Sequence, residues 1–207
     1  MKSSRFGNKT AFSLFELLAT VTIISLLMAV LFPMAIRYRD KARETKCAAN
    51  LRAISGAVAL WSSENDGKLP NSMDKSVEGW KKRIAPYLGV VIQPGDGEPG
   101  SPEAPVTVFT CPSVKDDKTV DKRSYAFNPN LNDGIGITDD PIAGLARKSG
   151  TIMVAEQLGG SWLQSIDAIA FRHMKRANAL FCDGHVEGLT SADVTRLGKS
   201  KLIEGKY

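Results

Sequence analysis

The sequence predicts an α+β protein in which one long N-terminal helix packs on a small antiparallel sheet. The first observation is an apolar stretch from Phe12 to Phe32 that carries a single charged residue. The second is that residues 34–64 continue with apolar side chains at helical spacing. The third is that residues 65–207 contain short apolar runs between turn-forming residues. We therefore predict a transmembrane helix at 12–33, its amphipathic continuation at 34–64 and a soluble domain at 65–207.

The apolar stretch is long enough to cross a bilayer. At 1.5 Å per helical residue, residues 12–32 extend about 30 Å, which matches the hydrocarbon core. The one charge in it, Glu16, costs about 2–3 kcal/mol there unless the carboxylate has a partner or reaches the interface. A plain signal anchor fits this pattern. A cleaved secretory signal peptide fits less well, because the run exceeds a typical h-region and no small-x-small site ends it.

The basic composition does not indicate nucleic-acid binding. The chain has 207 residues and a formal charge of +5, but three of the positive charges, Lys2, Arg5 and Lys9, precede the apolar stretch, and their removal leaves +2. No cluster of basic and aromatic residues is present.

More lysines and arginines follow the apolar stretch than precede it, so this count alone would place its C-terminal side in the cytoplasm.

Residues 9–18, KTAFSLFELL, resemble the processing site of type IV prepilins and type II secretion pseudopilins. In that family a short basic leader and a small residue precede Phe-Thr-Leu-x-Glu-Leu and an apolar helix. The resemblance implies that residues 1–11 are a leader, that prepilin peptidase cuts between Ala11 and Phe12, and that the new amine is methylated. The sequence departs from the family pattern at Ala11, where glycine is usual, and at Ser13, where threonine is usual.

The resemblance also implies that Glu16 and Pro33 take part in assembly. The methylated amine of Phe12 stays positive, and the Glu16 carboxylate can pair with it within one chain or between subunits of an apolar bundle. An unassembled helix would keep this carboxylate unsatisfied, which favours insertion into a filament in register. Pro33 lacks a backbone donor, so we expect a kink or a local loss of helix at residues 28–33.

The function implied by the resemblance is that of a structural subunit and not of an enzyme. The chain would cross the inner membrane once, with its N-terminus in the cytoplasm and its C-terminal domain outside, before assembly into a type IV pilus-like or type II secretion pseudopilus filament. Its partners would be prepilin peptidase, other pilin or pseudopilin subunits, the inner-membrane assembly platform and membrane lipid. The alternatives are a membrane-anchored binding protein that does not polymerise and, less favoured, an anchored metal-dependent enzyme. No nucleophile elbow, phosphate-binding glycine loop or HExxH motif is present.

Residues 34–64 predict a helix with one apolar face, which ends near residues 63–65. The stripe on that face consists of Cys47, Leu51, Ile54, Val58 and Trp61. The polar residues before it include local ion-pair partners, namely Asp40, Arg43, Glu44 and Lys46. Residues 47–54 also resemble the C-x-x-N-L-[KR]-x-[IL] run of a large pseudopilin-like subfamily.

The soluble domain predicts short elements joined by turns. Residues 74–88 carry apolar side chains at helical spacing, and the Pro- and Gly-rich residues 93–105 predict an exposed loop. The predicted strands are residues 106–109, 124–127, 151–156, 168–171, 177–182 and 186–189. Asp183 and Gly184 join the last two as a hairpin, and residues 191–197 predict a capped helical turn.

The histidines give the main candidates for metal chemistry. His173 and His185 are the only two in the chain and flank Asp183, and these residue types are metal ligands. Residues 171–186 resemble the C-terminal H-x9-D-G signature of the same subfamily. We favour a structural role in which His173 hydrogen-bonds the hairpin turn, and we predict neither a catalytic residue nor a required cofactor.

Two further groups of residues are candidate sites. A turn-rich segment offers oxygen ligands for calcium at Asn130, Asp133, Asp139 and Asp140, although Asn and Asp are also what any turn uses. Cys47 and Cys111 are candidates for a disulfide in an oxidising compartment, and buried thiols are an equally good interpretation. Cys182 is interpreted as a small apolar core residue.

Overall fold

The prediction of an α+β fold is confirmed by a computed structural model, which describes residues 13–70, 79–92, 108–114, 124–131, 148–160, 162–163 and 165–199. The helices in these ranges are α1 (Leu14–Glu64), α2 (Gly79–Ile84) and α3 (Ser191–Lys199). The strands are β1 (Tyr125–Phe127), β2 (Ile152–Glu156), β3 (Arg176–Phe181) and β4 (Val186–Thr190). A long N-terminal helix and a small antiparallel sheet are consistent with a pilin-like fold. The chain divides into two units between Arg39 and Asp40.

The first unit contains the apolar part of α1. An 18-residue window of this helix is apolar enough to cross a membrane, and none of it is buried. The hydroxyls of Thr20, Thr22 and Ser25 donate to carbonyls three or four residues earlier, so they are satisfied without water. The helix is continuous through Pro33, and the expected local loss of helix does not occur. Proline removes one backbone hydrogen bond of the helix, and the backbone hydrogen bonds on either side of it maintain the helical path.

The second unit, residues 40–207, is the soluble domain as the structure defines it, and it begins with the amphipathic part of α1. Its predicted stripe is confirmed, since Cys47, Leu51 and Ile54 are fully buried, Val58 is nearly so, and Trp61 packs partly buried against the same core. The preceding polar segment forms local ion pairs. Arg43 pairs with Asp40 at 3.7 Å, and Lys41 pairs with Glu44 at 2.9 Å, a partner that the sequence did not indicate. The helix ends at Glu64, as predicted.

The sheet has the order β1-β2-β3-β4, and every neighbouring pair is antiparallel. Its two faces belong to different parts of the core. On one face, side chains of the sheet share a cluster with the stripe of α1; they include Tyr125, Phe127, Val154 and Leu180. On the other face, sheet residues cluster with Leu163, Ile169 and Val194; they include Ala126, Ile152, Ala155, Ala179 and Phe181. Because both faces are covered, every residue of β2 is buried.

Two predicted strands are wrong. Val108 and Phe109 lie in a turn, and Ile169 makes only a single bridge to Gln157 after a 3-10 turn at Ile166–Ala168. Phe109 is nevertheless buried, with its ring edge-on to Trp80 at 5.8 Å. Short apolar runs can therefore fill a core without joining the ladder. Residues 106–107 and the loop at 93–105 lie outside the described residues.

The predicted short helix after α1 is confirmed over its described part. α2 continues as a 3-10 turn at Ala85–Leu88 and ends at Gly89, whose φ of 64° is left-handed. Trp80 and Ile84 are fully buried, and the hydroxyl of Tyr87 donates to the carboxylate of Glu64 at the end of α1.

The predicted hairpin is confirmed, and its turn lies against α1. The Phe181 N–H donates to the His185 carbonyl at 2.9 Å, and the Gly184 N–H donates to the Phe181 carbonyl at 2.9 Å. Gly184 has a φ of 90°, and a Cβ there would lie 3.3 Å from Oγ of Ser55. Helix α3 follows β4 through a reciprocal cap between Thr190 and Asp193.

Two glycines near this contact should respond in opposite directions to substitution by alanine. We expect Gly184→Ala to lower the free energy of unfolding by about 1–3 kcal/mol, because the turn requires a positive φ. We expect Gly56→Ala to raise it by about 0.5–1 kcal/mol, because Gly56 is inside α1 and a Cβ there meets nothing within 4 Å. Denaturant unfolding followed by tryptophan fluorescence measures both. Equal effects of the two substitutions would contradict the described turn.

Candidate functional site

The start of α1 has a cap that the prediction from sequence did not include. The Ser13 N–H donates to Oε2 of Glu16 at 3.0 Å, and the Phe15 N–H donates to Oγ of Ser13 at 3.3 Å. This is a capping box, whose S-x-x-E spacing is visible in the sequence. Glu16 therefore has a local partner within its own chain. Ala11 and Phe12, the predicted processing site, lie outside the described residues.

The apolar part of α1 presents large hydrophobic side chains on all sides. Leu14 is 84% exposed and Phe32 is 68% exposed, with comparable values between them. A contiguous apolar surface of this size is uncommon on a soluble monomer and marks a membrane or protein contact. The sequence prediction of a membrane-length helix agrees with this surface.

A second group of functional side chains lies buried in the soluble domain. Cys47 of α1 and Cys111 of the 108–114 turn form a disulfide, with their Cα atoms 5.5 Å apart. Beside it, Nε2 of His173 lies 3.3 Å from Sγ of Cys111 and 2.8 Å from Oε1 of Glu156. All four residues are buried, and their ligand atoms lie within 4.8 Å of one another. We call these four residues the Cys-His-Glu cluster.

Backbone and side-chain hydrogen bonds orient the Cys-His-Glu cluster. The Asn178 N–H on β3 donates to Oε2 of Glu156 at 2.7 Å, which turns Oε1 towards His173. The hydroxyl of Ser113 lies 3.3 Å from Nδ1 of His173, the ring nitrogen opposite the cluster. The Tyr125 hydroxyl donates to Sγ of Cys47 at 3.1 Å. Burial and then the charge of Glu156 raise the pKa of Tyr125 far above its ordinary value, so the hydroxyl keeps its proton.

The structure separates the predicted metal candidates. Asp183 and His185 bond each other in the hairpin turn, with Oδ1 and Nδ1 2.5 Å apart, and both side chains are substantially exposed. Partial burial would raise the pKa of Asp183, but hydrogen bonds from the amide and ring of His185 outweigh it and lower that pKa. His173 belongs instead to the Cys-His-Glu cluster. Among the described residues, the Cys-His-Glu cluster is the place at which three or more metal-ligating side chains converge.

The expected bond between His173 and the hairpin turn does not form. Its imidazole contacts Glu156, Cys111 and Ser113, while its backbone exchanges hydrogen bonds with Arg176 across a two-residue turn. The sequence could not indicate these partners, because they come from three separate segments. The sequence showed only that residues of metal-ligating type are present, since cysteine and histidine are both metal ligands, and it did not show that they meet.

The remaining candidates are only partly described. Asn130 lies in a 3-10 turn, and its N–H donates to Oδ1 of Asn128 at 3.1 Å. The other calcium candidates, Asp133, Asp139 and Asp140, lie outside the described residues. Cys182 is buried, in agreement with its interpretation as a core residue.

Comparison with known proteins gives one relative and no structural match. The chain is 24% identical over 92 residues to ComG operon protein 3 homolog of Bacillus licheniformis, which covers 44% of this chain and 95% of that protein. No family model and no solved structure matches. This similarity supports the resemblance of the chain to pilin-like proteins. Together with the exposed apolar helix, it fits a membrane-anchored single-pass protein.

In a buffer that contains a metal chelator, reduction of the disulfide should destabilise the soluble domain. The bridge closes a loop with a sequence separation of 64, so its loss should lower the free energy of unfolding by about 4 kcal/mol. Denaturant unfolding with and without a reductant measures the difference. A double variant, Cys47→Ala with Cys111→Ala, is the control and should show no response to the reductant. A response of equal size in that variant would assign the effect elsewhere.

Proposed function

We propose that this chain is a structural subunit of a type IV pilus-like or type II secretion pseudopilus filament. It is made as a precursor, cut before Phe12, methylated at the new amine and held in the inner membrane until assembly. The observation that supports this most directly is the exposed apolar helix joined to a domain that has its own core.

The soluble domain has a hydrophobic core of its own. Its core uses the second half of α1, from Cys47 to Trp61, together with both faces of the sheet. The large side chains from Leu14 to Ile36 are exposed, and a surface of this kind is covered by lipid or by other helices. A helix that exchanges lipid for neighbouring helices is what filament assembly from a membrane requires.

Glu16 has the capacity to form a further bond. Its Oε2 accepts from Ser13, and within the described residues no hydrogen bond reaches Oε1. The cap therefore leaves one carboxylate oxygen for the ammonium of Phe12 in a neighbouring subunit. In an apolar bundle such a pair favours the register in which both charges are satisfied.

The disulfide is in keeping with a C-terminal domain outside the cytoplasm. Disulfides form in oxidising compartments, and Cys47 and Cys111 both belong to the soluble domain. In this arrangement the N-terminus faces the cytoplasm, where the leader is removed by prepilin peptidase. The inner-membrane assembly platform, lipid and other pilin or pseudopilin subunits are the further partners.

One observation favours a second function, that of an anchored binding protein that does not polymerise. The capping box explains Glu16 locally, since a carboxylate at the third helical position satisfies a free N–H without any other subunit. In that case Glu16 stabilises the start of the helix and has no part in assembly.

The processing step predicts the mass of the mature chain. Intact-mass spectrometry of protein purified from membranes should show a chain that starts at Phe12 and carries one added methyl group. An Ala11→Leu variant should accumulate as the full precursor, because the peptidase requires a small residue before the cut. A wild-type chain that retains Met1, or an unmethylated Phe12, would contradict the proposal.

Two substitutions of Glu16 distinguish the two functions. Glu16→Gln keeps an acceptor for the Ser13 N–H and removes the charge, whereas Glu16→Leu removes both. If the charge pairs between subunits, both variants should reduce incorporation into filaments at least 100-fold, since breaking a buried pair costs about 3–5 kcal/mol. Both should remain in the membrane fraction.

Filament yield after shearing, compared with the amount in the membrane, measures this effect. Thr20→Leu is the control, because Thr20 bonds only a carbonyl of its own helix among the described residues, and it should assemble normally. Normal assembly of Glu16→Gln would support a capping role and overturn the charge-pairing mechanism.

A further inference from the structure

We infer that the Cys-His-Glu cluster is a zinc site when Cys47 and Cys111 are in the dithiol state. Its four ligands come from α1, the 108–114 turn, the end of β2 and the segment before β3. The disulfide is the alternative, metal-free state of the same two sulfurs. This inference does not depend on filament assembly.

The donor set suits zinc. Two thiolates, one imidazole and one carboxylate are the ligand types that Zn²⁺ binds in a tetrahedron, with Zn–S of about 2.3 Å and Zn–N or Zn–O of about 2.0–2.2 Å. Those lengths place the ligand atoms about 3.3–3.8 Å apart. Sγ of Cys111 and Nε2 of His173 are already 3.3 Å apart, and Nε2 and Oε1 of Glu156 are 2.8 Å apart. Nε2 and Oε1 need to move apart by about half an ångström, and the two sulfurs, which are bonded in the disulfide, need to separate to about 3.8 Å once they are reduced.

The residues around the cluster hold its ligands by hydrogen bonds, as the residues around a metal ion in a protein do. Ligating histidines usually bond a fixed group through the second ring nitrogen, and Ser113 occupies that position at Nδ1 of His173. The carboxylate of Glu156 is oriented by the Asn178 amide. Each sulfur also receives a donor, the Tyr125 hydroxyl on Cys47 and the Ser113 amide on Cys111, at 3.1 Å and 3.5 Å respectively. Such donors stabilise thiolates.

Burial gives the ion a clear role. The side chain of Glu156 is fully buried and that of His173 is 1% exposed, so an ionised carboxylate there carries a high desolvation cost. A divalent cation there would balance the charge of the two thiolates and coordinate this carboxylate directly, so that the site as a whole would keep one net negative charge. The exposed pair of Asp183 and His185 has no comparable burial, and the further metal-ligating side chain that the described residues bring near it is Glu187, 3.9 Å from Nε2 of His185.

The two states exclude each other. A phosphine reductant transfers two electrons to the disulfide and takes the oxygen of a water molecule to become the phosphine oxide, while the two protons of that water complete the thiols of Cys47 and Cys111. Zinc then displaces those protons as it binds. A disulfide-bearing oxidant reverses the change by accepting the two electrons, and the ion is released because disulfide sulfurs carry no thiolate charge. Zinc binding should therefore depend on the redox state of this pair.

The full-length chain in detergent micelles provides the test. Oxidised and phosphine-reduced samples are stripped of metal, incubated with zinc chloride, separated by gel filtration and analysed for metal. We expect about one zinc ion per reduced chain and almost none per oxidised chain. X-ray absorption of the reduced complex should show two sulfur ligands at about 2.3 Å and two nitrogen or oxygen ligands. Absence of zinc, equal retention in both states, or a shell of nitrogen and oxygen alone would overturn the inference.

Matched variants assign the ligands. His173→Gln should lose stoichiometric zinc, whereas His185→Gln, which alters the other histidine, should retain it. Cys182→Ala should likewise retain it, because Cys182 is not part of the cluster. Ser113→Ala should weaken zinc affinity about 10–100-fold in competition with a chelator. Loss of zinc in His185→Gln with retention in His173→Gln would overturn the assignment. The absorption spectrum of the wild-type protein needs no variant and stands even if His173→Gln fails to fold.

Discussion

The contact between one face of α1 and the sheet is the interaction on which the soluble domain depends. Leu51 and Ile54 are fully buried in the same cluster as Phe127 and Leu180. Burial of each such side chain contributes about 1.5–3 kcal/mol, whereas a small sheet without a packed face is only marginally stable. Cys47, the first residue of the same stripe, forms the disulfide, so a covalent bond and a hydrophobic contact together hold this helix face to the rest of the domain.

The polar chemistry of the domain lies in that same layer. Glu156 follows Val154 on the side of β2 that meets α1, and Cys47 precedes Leu51 by one helical turn. Hydrogen bonds satisfy the buried carboxylate and imidazole of this cluster, which makes it both stabilising and sensitive to change. The redox state of the two cysteines therefore bears directly on the contact that stabilises the domain.

The apolar part of α1 follows a different principle, because its stability depends on what surrounds it. Its hydroxyls bond the helix's own carbonyls, and its cap uses Ser13 and Glu16. A helix that is satisfied internally can lie in lipid or among other helices at similar cost. The remaining oxygen of Glu16 is the feature that would distinguish those two environments.

Local patterns in the sequence determined α1, its buried stripe and the hairpin at Asp183, because helical periodicity and turn chemistry act over a few residues. They did not determine which short apolar runs join the sheet: residues 106–109 and 168–171 resemble strands, yet Phe109 and Ile169 are held by side-chain burial and not by a ladder. They also could not place His173. Its partners are distant in sequence, and only the packing of α1 on the sheet brings two cysteines, a histidine and a glutamate together.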